Sequence, residues 1–297
     1  MFSLDGYRAL RTAAGVVRRV DRGVIGVSGA DRATWLQGLV TNDVLDLEPG
    51  QRRYAAYLTP QGRMITDMHV AALSDRLLLD VPAPLAASLT ARLDGLIFTE
   101  DTQVADESAS LEVWGVYGPD ADGAVRRATV ALFQDEGYGV PGCAWYWERG
   151  RALPGALAQL PEVNLDTLDV MRIEAGMPKF LADMDEHTIP LEAGIEDRAI
   201  SFSKGCYVGQ EVIVRVTQRG GGRVARRLVR LSMSAPSIDP GATLWSGDRE
   251  IGRVTSAAYS PALETTVALG YVHRDFVESG TQITVAADGN RFAATVR

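Results

Sequence analysis

The stretch RRYAAYLTPQGRMITDMHVAAL, residues 52–73, holds two strand-like runs on either side of Pro60-Gln61-Gly62, a turn signal that predicts a β-hairpin. Working outward, GVIGVSG (23–29) reads as a short buried strand. Residues 30–40 read as a helix with Trp35, Leu36, Leu39 and Val40 on one face. A helical stretch over 84–96 and strand candidates at 111–117 and 144–148 follow, so this part of the chain is α+β rather than doubly wound. From Asn164 to Ala175 the apolar residues Leu165, Leu168, Met171 and Ala175 keep helical spacing. Asn164 is the expected N-cap, and Gly176 followed by Pro178 is the expected stop.

Beyond Gly220-Gly221-Gly222 the chain changes character. Short strand-like runs at 224–233, 250–258, 265–272, 281–286 and 291–296 alternate with Gly, Pro and Asp turns, which predicts a small all-β domain, a barrel. The expected organisation is an α+β region over 1–220 and a C-terminal β-barrel over 223–297.

The 297 residues are 46% hydrophobic and 23% charged, with no apolar run long enough for a membrane span. The start, MFSLDGYRALRTAAG, has no secretory pattern. A cytoplasmic protein is expected, with a monomer as the default state. The two cysteines, Cys143 and Cys206, and three scattered histidines do not supply a familiar ligand set, so no metal site is expected. A net charge of −8 argues against indiscriminate duplex binding. The one basic stretch, from Arg219 through Arg223, Arg226, Arg227 and Arg230, reads as a glycine linker entering a strand with solvated arginines, or as a local anion or nucleic-acid surface.

Three places can carry chemistry. In KGCYVGQE (204–211) the thiol of Cys206 stands two residues from Lys204 and between Gly205 and Gly209. A lysine pointing at an exposed thiol lowers its pKa, whereas a packed Cys206 is inert. Both readings stand on spacing alone. Cys143, in GCAWYW, reads as core. Glu174 falls in the last turn of its helix at the edge of the apolar face, where the helix dipole and desolvation both disfavour a bare carboxylate. It therefore needs a counter-charge, Arg or Lys, or a ligand presenting paired donors such as a pterin. Asp67 is a lone acid on a strand, a position usually facing solvent; His69, His187 and His273 receive no role.

Four segments occur in order: WLQGLVTNDV (35–44), RIEAGMPKF (172–180) with IPLEAGI (189–195), KGCYVGQE, and IGRVTSAAYSPALETTVALGYV (251–272). Together they resemble the YgfZ-like folate-binding family and, more distantly, the glycine-cleavage aminomethyltransferases. The resemblance implies a tetrahydrofolate site opening onto a central channel of the α+β region, with the barrel closing the assembly. It also implies a role in maturation or repair of iron-sulfur proteins, including tRNA-modifying enzymes, in which Cys206 is the functional thiol. By that resemblance Lys204, Tyr207, Gln210 and Glu211 complete the cysteine motif. Glu174 and Arg172 match the RxEAG segment facing the pterin, and Asn42 and Asp43 match a loop near the folate. Aminomethyltransferases carry an acidic pair where this chain has Thr66-Asp67, so only Asp67 remains for acid-base or charge-stabilising work. That departure favours the iron-sulfur role over aminomethyl or methyl transfer or demethylation.

Overall fold

A computed structural model describes residues 1–126, 132–135, 137–219, 221–235, 237–287 and 289–297. The elements run α1 (Leu4–Thr12), β1 (Gly15–Arg18), β2 (Arg22–Ser28), α2 (Arg32–Gln37), β3 (Arg52–Leu58), β4 (Met64–Ala72), β5 (Leu77–Pro82), α3 (Ala86–Asp94), β6 (Gln103–Asp106), β7 (Leu111–Tyr117), α4 (Ala121–Val125), β8 (Phe133–Gln134) and β9 (Gly142–Glu148). Four helices follow: α5 (Leu165–Ala175), α6 (Pro190–Ala193), α7 (Glu196–Ala199) and α8 (Gln210–Val214). The chain ends in β10 (Arg226–Met233), β11 (Thr243–Ser246), β12 (Arg249–Ser260), β13 (Thr265–His273), β14 (Gln282–Ala287) and β15 (Asn290–Val296).

The expected hairpin is β3–β4, antiparallel with Tyr54 opposite His69 and Ala56 opposite Asp67. It forms one edge of a five-stranded sheet ordered β3-β4-β5-β2-β6. Alternation along β3 divides its side chains between two cores. Ala55 and Tyr57 pack with Trp35, Leu36, Leu89 and Leu93 of α2 and α3. Tyr54, Ala56 and Leu58 pack against the segment from Phe180 to Val224. A second sheet, β1-β7-β9-β8, buries Trp114 and Trp145, and the chain crosses between the sheets in the few residues from β1 to β2.

The C-terminal strands close into a six-stranded barrel, β10-β13-β12-β11-β14-β15. Closure removes the open sheet edges. The strand TLWS (β11) had no signal of its own in the sequence: it is four residues long and breaks register at Leu244/Trp245.

α5 joins the two regions. Asn164 accepts from Thr167 N, and Gly176 ends the helix at φ 79°, as expected. The expected single apolar face is too narrow, however: Thr167, Leu168, Val170, Met171, Arg172 and Ile173 are all buried. The cause is that Ile173 packs on Val267 and Leu269 of the barrel while Leu168 and Met171 pack on Tyr7 and Leu10 of α1. Arg172 lies between these contacts and binds Asp183 at 2.6 Å and Ser256 at 2.8 Å. Asp183 also accepts from the hydroxyls of Thr255 and Ser256, which sit where β12 is bulged. No helix among the described residues is long and apolar enough to cross a membrane.

Candidate functional site

β2, β3, β4 and β5 each place charged or polar side chains on one sheet face: Arg22, Arg52, Tyr54, Asp67, His69 and Asp80. These meet the β1–β2 connection, the loop before β9, and α5 around a central cavity of about 70 Å³. Its lining also includes Tyr138, Leu165, Leu168 and Met177. With the open mouth included the space is about 670 Å³.

Asp67 lies in this cavity and is 5% exposed, which corrects the expectation of a solvent-facing strand acid. Tyr54 Oη donates to Asp67 Oδ2 at 3.0 Å, and Arg22 Nη1 pairs with Oδ1 at 3.3 Å. Burial, reinforced by the Asp67 charge, holds the Tyr54 phenol protonated well above its ordinary value. Arg22 and Arg52 both pair with Asp80. Burial alone would raise the Asp80 carboxyl, but these two arginines hold it below the usual carboxylate range. His69 packs against Tyr54 with the rings tilted by 52° and their centroids 5.0 Å apart. Burial, and then the arginines around it, push its pKa well below 6.5, so the ring is neutral at pH 7. Among the described residues its Nδ1 has no hydrogen-bond partner.

Arg172 also lines the cavity. The resemblance implied that it faces a pterin, but its guanidinium is engaged by Asp169, Asp183, Ser256 and the Met177 carbonyl. It holds α5 to the barrel. Glu174 points elsewhere. Two residues along the helix from Arg172, it turns toward α1, and its carboxylate is taken by Arg11, Tyr7 at 2.8 Å and Ser260 at 2.5 Å. Of the two partners open from the sequence, the arginine is the one found. The paired-donor position expected for a pterin is filled by this chain's own side chains, and Glu174 is not in the wall around Asp67.

The loop residues Asn42 and Asp43 are structural in their contacts. Asn42 Nδ2 donates to the carbonyls of Tyr54 and Arg198, and its Oδ1 accepts from Asp43 N. Asp43 accepts from Gln37 and from Leu45 N. The turn thus fixes the backbone on either side of the Tyr54–Arg198 stack, where the guanidinium lies 4.3 Å from the ring centroid.

KGCYVGQE forms a separate surface feature. Cys206 is exposed, and Cys143 is buried as expected. Lys204 is not aimed at the thiol: its ammonium donates to the carbonyls of Gln37, Val40 and Asn42 at 2.7, 2.8 and 2.8 Å. All three protons are spent at the C-terminal end of α2, and burial pushes this ammonium down to about 8. The expectation of a lysine-activated thiol is therefore overturned by a capping role. Tyr207 is buried with Lys204 over its ring at 5.4 Å. Gln210 and Glu211 begin α8, outside the Asp67 cavity. Gly209, at φ 85°, lets the loop approach the β3–β4 turn; a Cβ there would stand 2.6 Å from Thr59 O.

Two arginines of the basic stretch are bound in place. Arg226 pairs with Glu192 at 3.3 Å and lies 4.5 Å from the Tyr271 ring centroid; Arg227 pairs with Glu196. Gly220 lies outside the described residues.

The GCVT N-terminal domain model matches residues 2–139, and the glycine cleavage T-protein C-terminal barrel domain model matches 226–297. Both models describe parts of the glycine cleavage T-protein, and between them they match most of this chain. Among T-protein relatives, the aminomethyltransferase of Thermosynechococcus vestitus is 28% identical over 319 residues, covering 95% of this chain and 83% of that protein. The aminomethyltransferase of Corynebacterium jeikeium is 26% identical, covering 99% and 86%. The T-protein fold is shown by the glycine cleavage system aminomethyltransferase T of Bartonella henselae. That structure matches with a TM-score of 0.87 at 23% identity, over 99% of this chain and 88% of its own.

In this T-protein-like chain the residues without an assigned role in the sequence are Arg22, Arg52, Tyr54, His69, Asp80 and Arg198. The available signal was alternation: Arg52 and Tyr54, and then Asp67 and His69, occupy same-face positions in otherwise apolar strands. Paired polar positions of that kind need a polar cavity or each other.

Proposed function

We propose that this chain binds tetrahydrofolate at the Asp67 cavity and handles a one-carbon group there, as a folate-dependent aminomethyl or methyl transferase or demethylase. The observation that carries the reading is the buried Asp67 carboxylate, held by Tyr54 and Arg22 beside a neutral His69. The curated relatives being aminomethyltransferases over nearly the whole chain supports it.

The residues present fit the cofactor. A pterin offers ring N–H and amine donors, and Asp67 has lone pairs left to accept them. Tyr138, Leu165, Leu168 and Met177 would give the aromatic and apolar wall that ligand sites use. The closed volume of about 70 Å³ is far below the roughly 300–1,000 Å³ of sites that enclose whole ligands, so binding would require mouth side chains to yield. Tetrahydrofolate, when bound, supplies the nitrogens that carry the one-carbon unit. Tyr54 keeps its own proton and orients Asp67, which stabilises positive charge. His69, neutral and with its Nδ1 unpartnered among the described residues, can offer the ligand a hydrogen bond. Thr66, in place of a second acid, spends its hydroxyl on the Asp67 carbonyl.

The test is a tetrahydrofolate titration of wild type and Asp67→Asn, with tetrahydrofolate-dependent amine release from aminomethyl donors measured in parallel. A loss of about tenfold or more in affinity is expected for the variant, as for a charge-assisted pair. Equal affinity and equal turnover in the two proteins would remove Asp67 from the site.

The exposed thiol of Cys206 favours a second reading, a folate-binding accessory to iron-sulfur proteins in which Cys206 meets the client. Cys206→Ala should then fail to restore iron-sulfur enzyme activity in a deletion strain that wild type rescues. Full rescue by Cys206→Ala removes this reading and leaves the transferase reading untouched.

A further inference from the structure

A second cleft, of about 400 Å³, opens between the last turn of α5, β10, the β12–β13 turn and β13. It shares no lining residue with the Asp67 cavity, and its occupancy is independent of the folate reading. Its volume falls within the roughly 300–1,000 Å³ of small-molecule sites. Ile173, Leu231 and Val267 line it as buried apolar side chains, and Leu263 lines it while being 59% exposed.

That exposed leucine is held in place. Its N–H donates to Ser260 Oγ at 3.1 Å, and the Ser260 hydroxyl in turn donates to Glu174 Oε1 at 2.5 Å. The next residue, Glu264, has φ 50°, a left-handed conformation uncommon away from glycine. Backbone strain of this kind collects at ligand clamps and switch regions.

The charged side chains in the lining are Arg230, Arg297 and Glu174. The Glu174 carboxylate is spent on Arg11, Tyr7 and Ser260. Arg230 keeps one long contact, 3.4 Å from Nη1 to the Glu174 carbonyl, and Arg297 donates from Nε to Ser232 Oγ at 2.9 Å. Among the described residues neither guanidinium has a side-chain carboxylate partner, in a chain whose net charge is −8. Two such forks beside apolar walls match a molecule with an apolar body and one anionic end. The nine lining residues are too few for a protein partner, since stable interfaces engage about 20–30 residues a side.

We propose that this cleft binds a small amphipathic acid, with its chain against Ile173, Val267 and Leu263 and its anionic head on Arg230 and Arg297. The site is separate from the one-carbon chemistry assigned to Asp67.

The experiment titrates the protein with octanoate, octanol and octylammonium, followed by calorimetry and by the methyl resonances of Ile173, Leu263 and Val267. Octanoate should saturate and shift all three sets of methyls, and octylammonium should shift none. Across butyrate, hexanoate and octanoate the affinity should rise about fourfold per added methylene. Arg230→Gln should weaken octanoate about tenfold and leave octanol unchanged. Leu263→Ser, at an exposed position, should weaken octanoate and octanol alike. The proposal is overturned if octanoate does not saturate, binds no tighter than octanol, or shifts only residues of the Asp67 cavity. Equal losses of octanoate and octanol in Arg230→Gln would overturn it too, since they would mark a disturbed cleft and no recognition of the charge.

Discussion

Replacing Lys204 with methionine separates the two roles that a lysine beside a cysteine can have. The ammonium is buried and makes three hydrogen bonds to the carbonyls of Gln37, Val40 and Asn42. Methionine keeps most of the stem volume but leaves three acceptors at the end of α2 without this donor. Each unsatisfied buried acceptor costs about 1–3 kcal/mol. Against this, the desolvation penalty of the ammonium, several kcal/mol, disappears. The balance expected is a net loss of about 3 kcal/mol. Urea denaturation followed by tryptophan fluorescence measures it, with Trp35 inside α2 as a local reporter. The rate of Cys206 reaction with a neutral disulfide reagent, taken under fully folded conditions, should change by less than about threefold, since the ammonium is turned away from the thiol. Stability within about 1 kcal/mol of wild type, together with a tenfold slower thiol, would refute the capping role and restore lysine activation.

Gly209→Ala should lower stability by about 2–4 kcal/mol, combining a left-handed φ of 85° with a contact 2.6 Å from Thr59 O. Gly205→Ala, where nothing lies within 4 Å, should stay within about 0.5 kcal/mol in the same thermal melts. Arg11→Met removes the ion-pair partner of a Glu174 side chain that is 5% exposed. Because Arg11 itself is about one-third exposed, a cost of about 1–3 kcal/mol is expected, and adding Glu174→Gln should recover part of it in a double-mutant cycle. His69 titrates far below its unfolded value of about 6.5, so the unfolded chain binds the extra proton first. Stability should therefore be flat in this respect above pH 6.5 and fall by up to about 1.4 kcal/mol per pH unit below it. His69→Gln should flatten that slope between pH 6.5 and 5 in denaturation curves; an unchanged slope would show that other groups set the acid limit.

Elements whose signals are local were legible in the sequence. The β3–β4 hairpin shows its turn, α5 shows both caps, and the barrel strands show their alternation. β11 was lost because four residues with a register break carry no period. The site was harder, for a reason visible in Glu174 and Asp67. Helix position implied that Glu174 needed a partner but could not name Arg11, which lies 163 residues away. Strand position made Asp67 look solvent-facing because the cavity that buries it is assembled from the β1–β2 connection, the loop before β9, α5 and α7, none adjacent in sequence. Lys204 was read with its sequence neighbour Cys206, whereas its contacts are with residues 37–42.

The Gly209 contact also matters to anyone wishing to watch this molecule move. The chain has two cysteines, one buried and one exposed. Cys206 is thus a native single labelling position. Its loop leans through Gly209 on the turn at Thr59 and Gly62, five residues before Asp67 on the same hairpin. If the Asp67 cavity takes a ligand as proposed, a fluorophore on that thiol, outside the cavity yet braced against the hairpin that lines it, should report its entry as a change in emission without engineering a single residue.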